Sequence, residues 1–345
     1  MLGLTYLTFP LFPASCPEFP MPASPLSRLR SARLPALLLA AAVALAGCGP
    51  QDAGGATDTA PETGDSDSFP RVVQHELGET TIPERPERVV AVTDGGELAS
   101  LLALGVEPVG FGKRNDPIRP WIEAAGGAEI ESYDLAGTEV SFERIAAWKP
   151  DLLVVQAGFA TKENLAQYSA LAPTVVTSFI DWKDNLRQVS EATGTTEKAA
   201  ELVAENEAAV EDAAKALSGS KGLKVQAITV FEGPEIYRLN DASPLGKLAP
   251  SLGLAPFPKA GTPGEAVDTV SLEKLADIDA DVLLVQDFGD DGPYRALKEQ
   301  EIWKRIPAVK TGKVIELSVE ESEASYFDSV LTVPLNLQML QDRLG

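Results

Sequence analysis

A single histidine, His75, and two cysteines, Cys16 and Cys48, are all this chain holds of the side chains that most often act as nucleophiles, general bases or transition-metal ligands. Ser–His–Asp chemistry needs a histidine beside a nucleophile on a sharp turn, and no G-x-S-x-G is present. No P-loop is present, and no G-x-G-x-x-G follows a strand-like run. Captured zinc or copper needs several His or Cys ligands. Carboxylates are plentiful, at 51 Asp and Glu, but on so acidic a chain paired acids read as solvated faces. An enzyme is therefore not expected. What remains is a scattered set of cations and aromatic rings: Lys113, Arg114, Phe159, Trp182, Tyr237, Arg238 and Tyr326. Guanidinium groups donate charge-assisted hydrogen bonds to oxygen, and rings wall an apolar body, so the set suits reversible binding.

Something must bring these residues together, and an internal repeat shows what. "VSFERIAAWKPDLLVVQ" (140–156) and "VSLEKLADIDADVLLVQ" (270–286) align without a gap and share eight of seventeen residues. Each predicts a helix capped by its serine, a turn, and a strand of unbroken apolar residues. Such strands belong to parallel sheets covered on both faces. Further strands are expected at 88–92, 108–111, 174–178, 224–232 and 312–317, and helices near 162–171 and 334–343. Between the halves, 195–218 has helical spacing at Ala199, Leu202, Val203, Val210, Ala213 and Leu217. The fold class read here is α/β: two Rossmann-like lobes, 69–194 and 219–345, joined by one long helix, 195–218, with a ligand cleft between them. Open α/β sheets bind ligands outside their strands' carboxyl ends. That rule selects Thr93, Asp94, Gly158 and the cations and rings named above.

The start of the chain has its own logic. Arg28, Arg30 and Arg33 precede an apolar run from Leu34 to Gly47, too short for the roughly 20 residues of a membrane span. This is the pattern of a secretory signal, 1–47, whose true start is Met21 if the first twenty residues are an over-extended reading frame. Leu45-Ala46-Gly47-Cys48 resembles the bacterial lipobox, which implies that Cys48 is lipidated. Residues 48–68 hold no aliphatic side chain larger than alanine and many Gly, Ser, Thr and Pro, a flexible tether. Three arginines and one glutamate precede Cys48; without them 26 basic side chains face 50 acidic ones. So acidic a chain is not a nucleic-acid binder.

"PERVVAVTDGGELASLLALGVEPVGFG", "SFERIAAWKPDLLVV", "LAPTVV", "VSLEKLADIDADVLLV" and "IPAVKTGKVIEL" occur in this order over nearly all of 71–345. Together they resemble the iron–siderophore substrate-binding proteins of ABC importers, the helical-backbone class that also includes haem and cobalamin binders. The resemblance implies a monomer without cofactor, lipid-anchored on the outer face of the cell membrane. It also implies a ferric siderophore as ligand, and delivery to an ABC permease with its ATPase. In that family an acid on each lobe docks onto the permease; the first-lobe position matches Glu97. Asp94 and Glu97 are also spaced as an N-cap and its capping-box partner. The expected second-lobe helix, "SPLGKLAPSLGL", has no acid, leaving Asp241 in the preceding loop. The ligand-site residues expected are Arg114, Tyr237, Arg238, Tyr326, Trp182 and Phe159. The strong negative charge slows approach of trianionic catecholates and favours neutral hydroxamate complexes. Haem or cobalamin binding, and a secreted lipoprotein hydrolase, remain as alternatives.

Overall fold

The computed structural model describes residues 68–114, 117–135, 139–230, 235–286, 288 and 292–345. The expected signal peptide, Met21, Cys48 and nearly all of the tether lie outside the described residues.

An antiparallel hairpin, β1 (Arg71–His75) and β2 (Gly78–Ile82), comes first. The first lobe then alternates β3 (Val89–Ala91), α1 (Gly96–Ala103), β4 (Gly110–Lys113), α2 (Pro120–Ala124), β5 (Ser132–Asp134), α3 (Phe142–Ala147), β6 (Leu152–Gln156), α4 (Leu165–Ser169), β7 (Thr174–Thr177) and α5 (Trp182–Thr193). Its strands are all parallel, in the order β5-β4-β3-β6-β7. Strands β6 and β7 are buried along their whole length, as strands covered on both faces must be.

Helix α6 (Thr196–Ala216) follows, 21 residues long and so about 32 Å from end to end. Its first half, with Ala199, Leu202 and Val203, seats on the first lobe's core. Its second half, with Ala209, Val210 and Ala213, seats on the second lobe's core. The helix is thus fixed to both lobes by its own apolar stripe.

The second lobe contains β8 (Val225–Val230), β9 (Ile236–Leu239), α7 (Pro244–Ser251), β10 (Val267–Val270), β11 (Val282–Gln286), α8 (Gly292–Lys298), α9 (Pro307–Lys310), β12 (Val314–Glu316), α10 (Val319–Tyr326) and α11 (Thr332–Leu344). Its sheet runs β10-β9-β8-β11-β12, with β9 and β10 antiparallel to their neighbours. The two halves of the sequence repeat fold differently at one point. Ser141 accepts from the Arg144 N–H and caps α3, whereas 272–277 is a 3-10 helix with no side-chain cap from Ser271. In both halves the closing strand ends on a buried glutamine, Gln156 and Gln286.

Candidate ligand-binding cleft

Strand order reverses beside β3 in the first sheet and beside β8 in the second, which are the crevices where open α/β sheets take ligands. In the first lobe the chain leaving β3 reads Thr93-Asp94-Gly95-Gly96, and all of it is held. Asp94 is buried; one carboxylate oxygen stands 3.2 Å from the buried Arg119 guanidinium and the other accepts the Arg114 N–H at 3.0 Å. Arg119 also donates to the Asp94 carbonyl at 3.0 Å, and lies 4.0 Å over the ring of Phe327, which follows α10. Gly96 packs closely under its neighbours: a Cβ there would lie 3.0 Å from Asn185 Nδ2, and 3.4 Å from the Asp328 carbonyl oxygen. This loop therefore forms the floor where the first lobe meets the connection between α10 and α11.

Arg114 follows β4 and lies with its guanidinium 5.0 Å from the ring of Phe159, a cation–π arrangement. The turn that presents Phe159 is built from Gly158, at φ +95°, and from two donors to the Phe159 carbonyl, Asn164 Nδ2 at 2.8 Å and the Tyr168 hydroxyl at 3.2 Å. Burial lowers the pKa of Arg114, and neighbouring Asp94 pulls the other way. Across the cleft, burial raises the Tyr326 phenol while the facing Arg114 opposes the rise. The Tyr326 ring stands edge-on to Phe288 at 5.7 Å. Tyr237 donates to Glu235 at 2.5 Å; that bond, with burial behind it, pushes the phenol up to about 12. Tyr326 also acts on Tyr237. Of the expected set the structure thus stacks Arg114 on Phe159 and sets Tyr326 within electrostatic reach of both Arg114 and Tyr237.

Three expectations are corrected. Arg238 does not join Tyr237, because successive strand residues point to opposite faces; it pairs with Asp268 of β10 at 3.4 Å. Trp182 is also elsewhere. Asp181 caps α5 through the N–H groups of Lys183 and Asp184, so Trp182 opens that helix. It lines an open groove of about 810 Å³ with Asn206 and Val210 of α6 and Pro244 of α7. Glu97 is fully buried and cannot reach another protein. It is not a capping-box partner either, since Gly95 is the N-cap and makes no side-chain bond. Instead its Oε1 accepts from the Thr93 amide at 3.1 Å and from the Thr93 hydroxyl, and its Oε2 has no partner. Burial pushes its carboxyl up to about 7.

Phe288 and the Asp94–Arg119 pair were missed from sequence. An aromatic two residues past the second repeat's strand, matching Phe159 three past the first, is the signal that marks Phe288. Of the other cations considered, Lys113 stands 3.5 Å from Asp134. Among the described residues Arg114 makes no ion pair, and no cluster of three or more His, Cys, Asp or Glu is placed to hold a metal.

Residues 90–320 match the model of a periplasmic binding protein family. The chain is 30% identical to the probable siderophore-binding lipoprotein YfiY of Bacillus subtilis, over 73% of this chain and 81% of that one. It is 28% identical to the iron(3+)-hydroxamate-binding protein FhuD of Bacillus subtilis, over 90% and 95%. It also superposes on the crystal structure of Streptococcus pneumoniae TIGR4 PiaA in complex with ferrichrome, with TM-score 0.66, 25% identity, and coverage of 79% and 97%.

Proposed function

Because the chain belongs to this periplasmic binding protein family, we propose that it captures a ferric siderophore outside the cell membrane and hands it to an ABC permease with its ATPase. The names of the relatives, a siderophore-binding lipoprotein and an iron(3+)-hydroxamate-binding protein, support that class of ligand. Within it we favour a hydroxamate complex. The observation that carries this choice is the guanidinium of Arg114, without an ion pair among the described residues, seated on Phe159 and within electrostatic reach of Tyr326. One cation among rings suits a neutral complex with oxygens at one pole and an apolar skirt. A trianion calls for several converging cations, and Lys113 and Arg238 are already paired.

The test is tryptophan quenching of the purified chain titrated with ferrichrome, ferrioxamine, ferric enterobactin, ferric citrate, haem and cobalamin. Saturable quenching by the hydroxamates ahead of the others is expected. Preference for haem or cobalamin would overturn the ligand class, and preference for enterobactin the hydroxamate choice.

With Glu97 buried, docking requires other acids. Asp241 is engaged by Lys259 and the Ala260 N–H. The repeat supplies a matched pair, Glu143 and Glu273, at the same repeat position in each lobe and both exposed. Each begins the helical turn that leads back into a cleft-ending strand, so each belongs to the rim. The Glu143→Ala/Glu273→Ala double variant is expected to bind ferrichrome as the parent does and to lose at least about tenfold in iron uptake by cells, two rim charge contacts being removed. Unchanged uptake would sink this docking mode. Attachment through a lipidated Cys48 predicts that Cys48→Ser leaves the detergent-rich phase in a phase-partition assay; retention there would refute it.

A further inference from the structure

This inference rests on the reading of the cleft as a site for ferric complexes. Glu97 lies at the crevice between β3 and β6, where the strand order of the first sheet reverses. It is fully buried, and its Oε2 is without a hydrogen-bond partner. A buried charge left in that state is costly, so the group keeps its proton instead. Gly95 adds a second observation. A Cβ at Gly95 would collide with Gln156 Oε1 and stand 2.8 Å from Glu97 Oε2, so both side chains close over this glycine and cover the Glu97 carboxyl.

The charged and titratable groups around Glu97 come from every element that meets there. They are Asp94 in its own loop, Arg114 after β4, Arg119 before α2, and Tyr168 of α4, with Glu323 and Tyr326 of α10 beyond them. Asp94 and Arg119 offset each other as a buried pair. We propose that Glu97 is the charge selector of this cleft: as an uncharged acid it leaves the Arg114 charge free to act on ligand, and loss of its proton sets a carboxylate behind Arg114 that turns anionic complexes away. Burial places this change near neutrality, at about 7. Falling pH then adds positive charge to the floor, tightening anionic complexes and leaving neutral ones nearly unmoved.

The experiment measures the affinity of the full chain for neutral ferrichrome and for trianionic ferric enterobactin between about pH 6 and about pH 8. Infrared difference spectra of the unliganded chain follow the carboxyl over the same range. Enterobactin is expected to bind about tenfold tighter at the acidic end, the effect of about one unit of charge–proton coupling, while ferrichrome moves less than about twofold. The Glu97→Gln variant is expected to lose the enterobactin response and the protonated-carboxyl band. Equal pH slopes for both complexes, or an enterobactin refused alike throughout, overturn the selector. So does a carboxylate already ionised at the acidic end, with the Gln156 amide turned to donate to it. If neither complex binds, the reading of the site fails; a titrating band absent from the variant then shows that the ligand class, not the protonation of Glu97, was at fault.

Discussion

Replacing Arg114 by alanine is expected to weaken ferrichrome binding by about 10–150-fold, the effect of losing a charged hydrogen-bond donor from a desolvated site at about 1.5–3 kcal/mol. The side chain sits on Phe159 and, among the described residues, pairs with no carboxylate, so its donors suit a ligand. Arg114→Lys should recover only part of the affinity, because an ammonium neither stacks on the ring nor presents a planar fork. Equilibrium quenching titrations decide it. An alanine variant within about threefold of the parent would remove Arg114 from the site.

The second large effect concerns folding. Asp94 and Arg119 are each about 3% exposed and 3.2 Å apart. Asp94→Ala leaves the guanidinium buried without its counter-charge, a change expected to cost about 3–5 kcal/mol. Chemical denaturation measures it directly. Asp94→Ala/Arg119→Met should cost less than the single change, since no isolated charge remains; a double variant as unstable as the single one would show that packing on Phe327, not charge, is what Arg119 supplies.

The parallel sheet of the first lobe and the parallel strands of the second lobe's mixed sheet were legible because β6 and β11 are apolar runs, and periodicity alone marked α6. The strand-end rule led to Arg114 and Phe159, which follow β4 and β6 and stack on one another. What escaped reading depended on partners far along the chain. Asp94 and Arg119 are 25 residues apart, and nothing local in either segment announces the pair. Glu97 carries the spacing of a cap, yet the backbone at Gly95 takes the N-cap, and the acid turns inward to Thr93. Arg238 was misplaced by treating neighbours on a strand as neighbours in space. Trp182 was misplaced because Asp181 starts a helix where a loop was expected. The β1–β2 hairpin was not read from sequence, because each strand buries one residue alone, Val73 and Ile82. The antiparallel β9 and the edge strand β10 were hidden because their half-buried residues blur the pattern.

Helix α6 joins the lobes along one side, and the Arg119–Phe327 contact and Val330, buried in the first lobe's core, fasten them again at the floor. A body tied at two places behaves as a caliper of nearly fixed gauge. Under the proposed docking mode, Glu143 and Glu273 then stay at almost the same separation whether or not the cleft is filled. Empty copies accordingly queue at the transporter alongside loaded ones, and iron uptake should decline when the binder outnumbers its cargo.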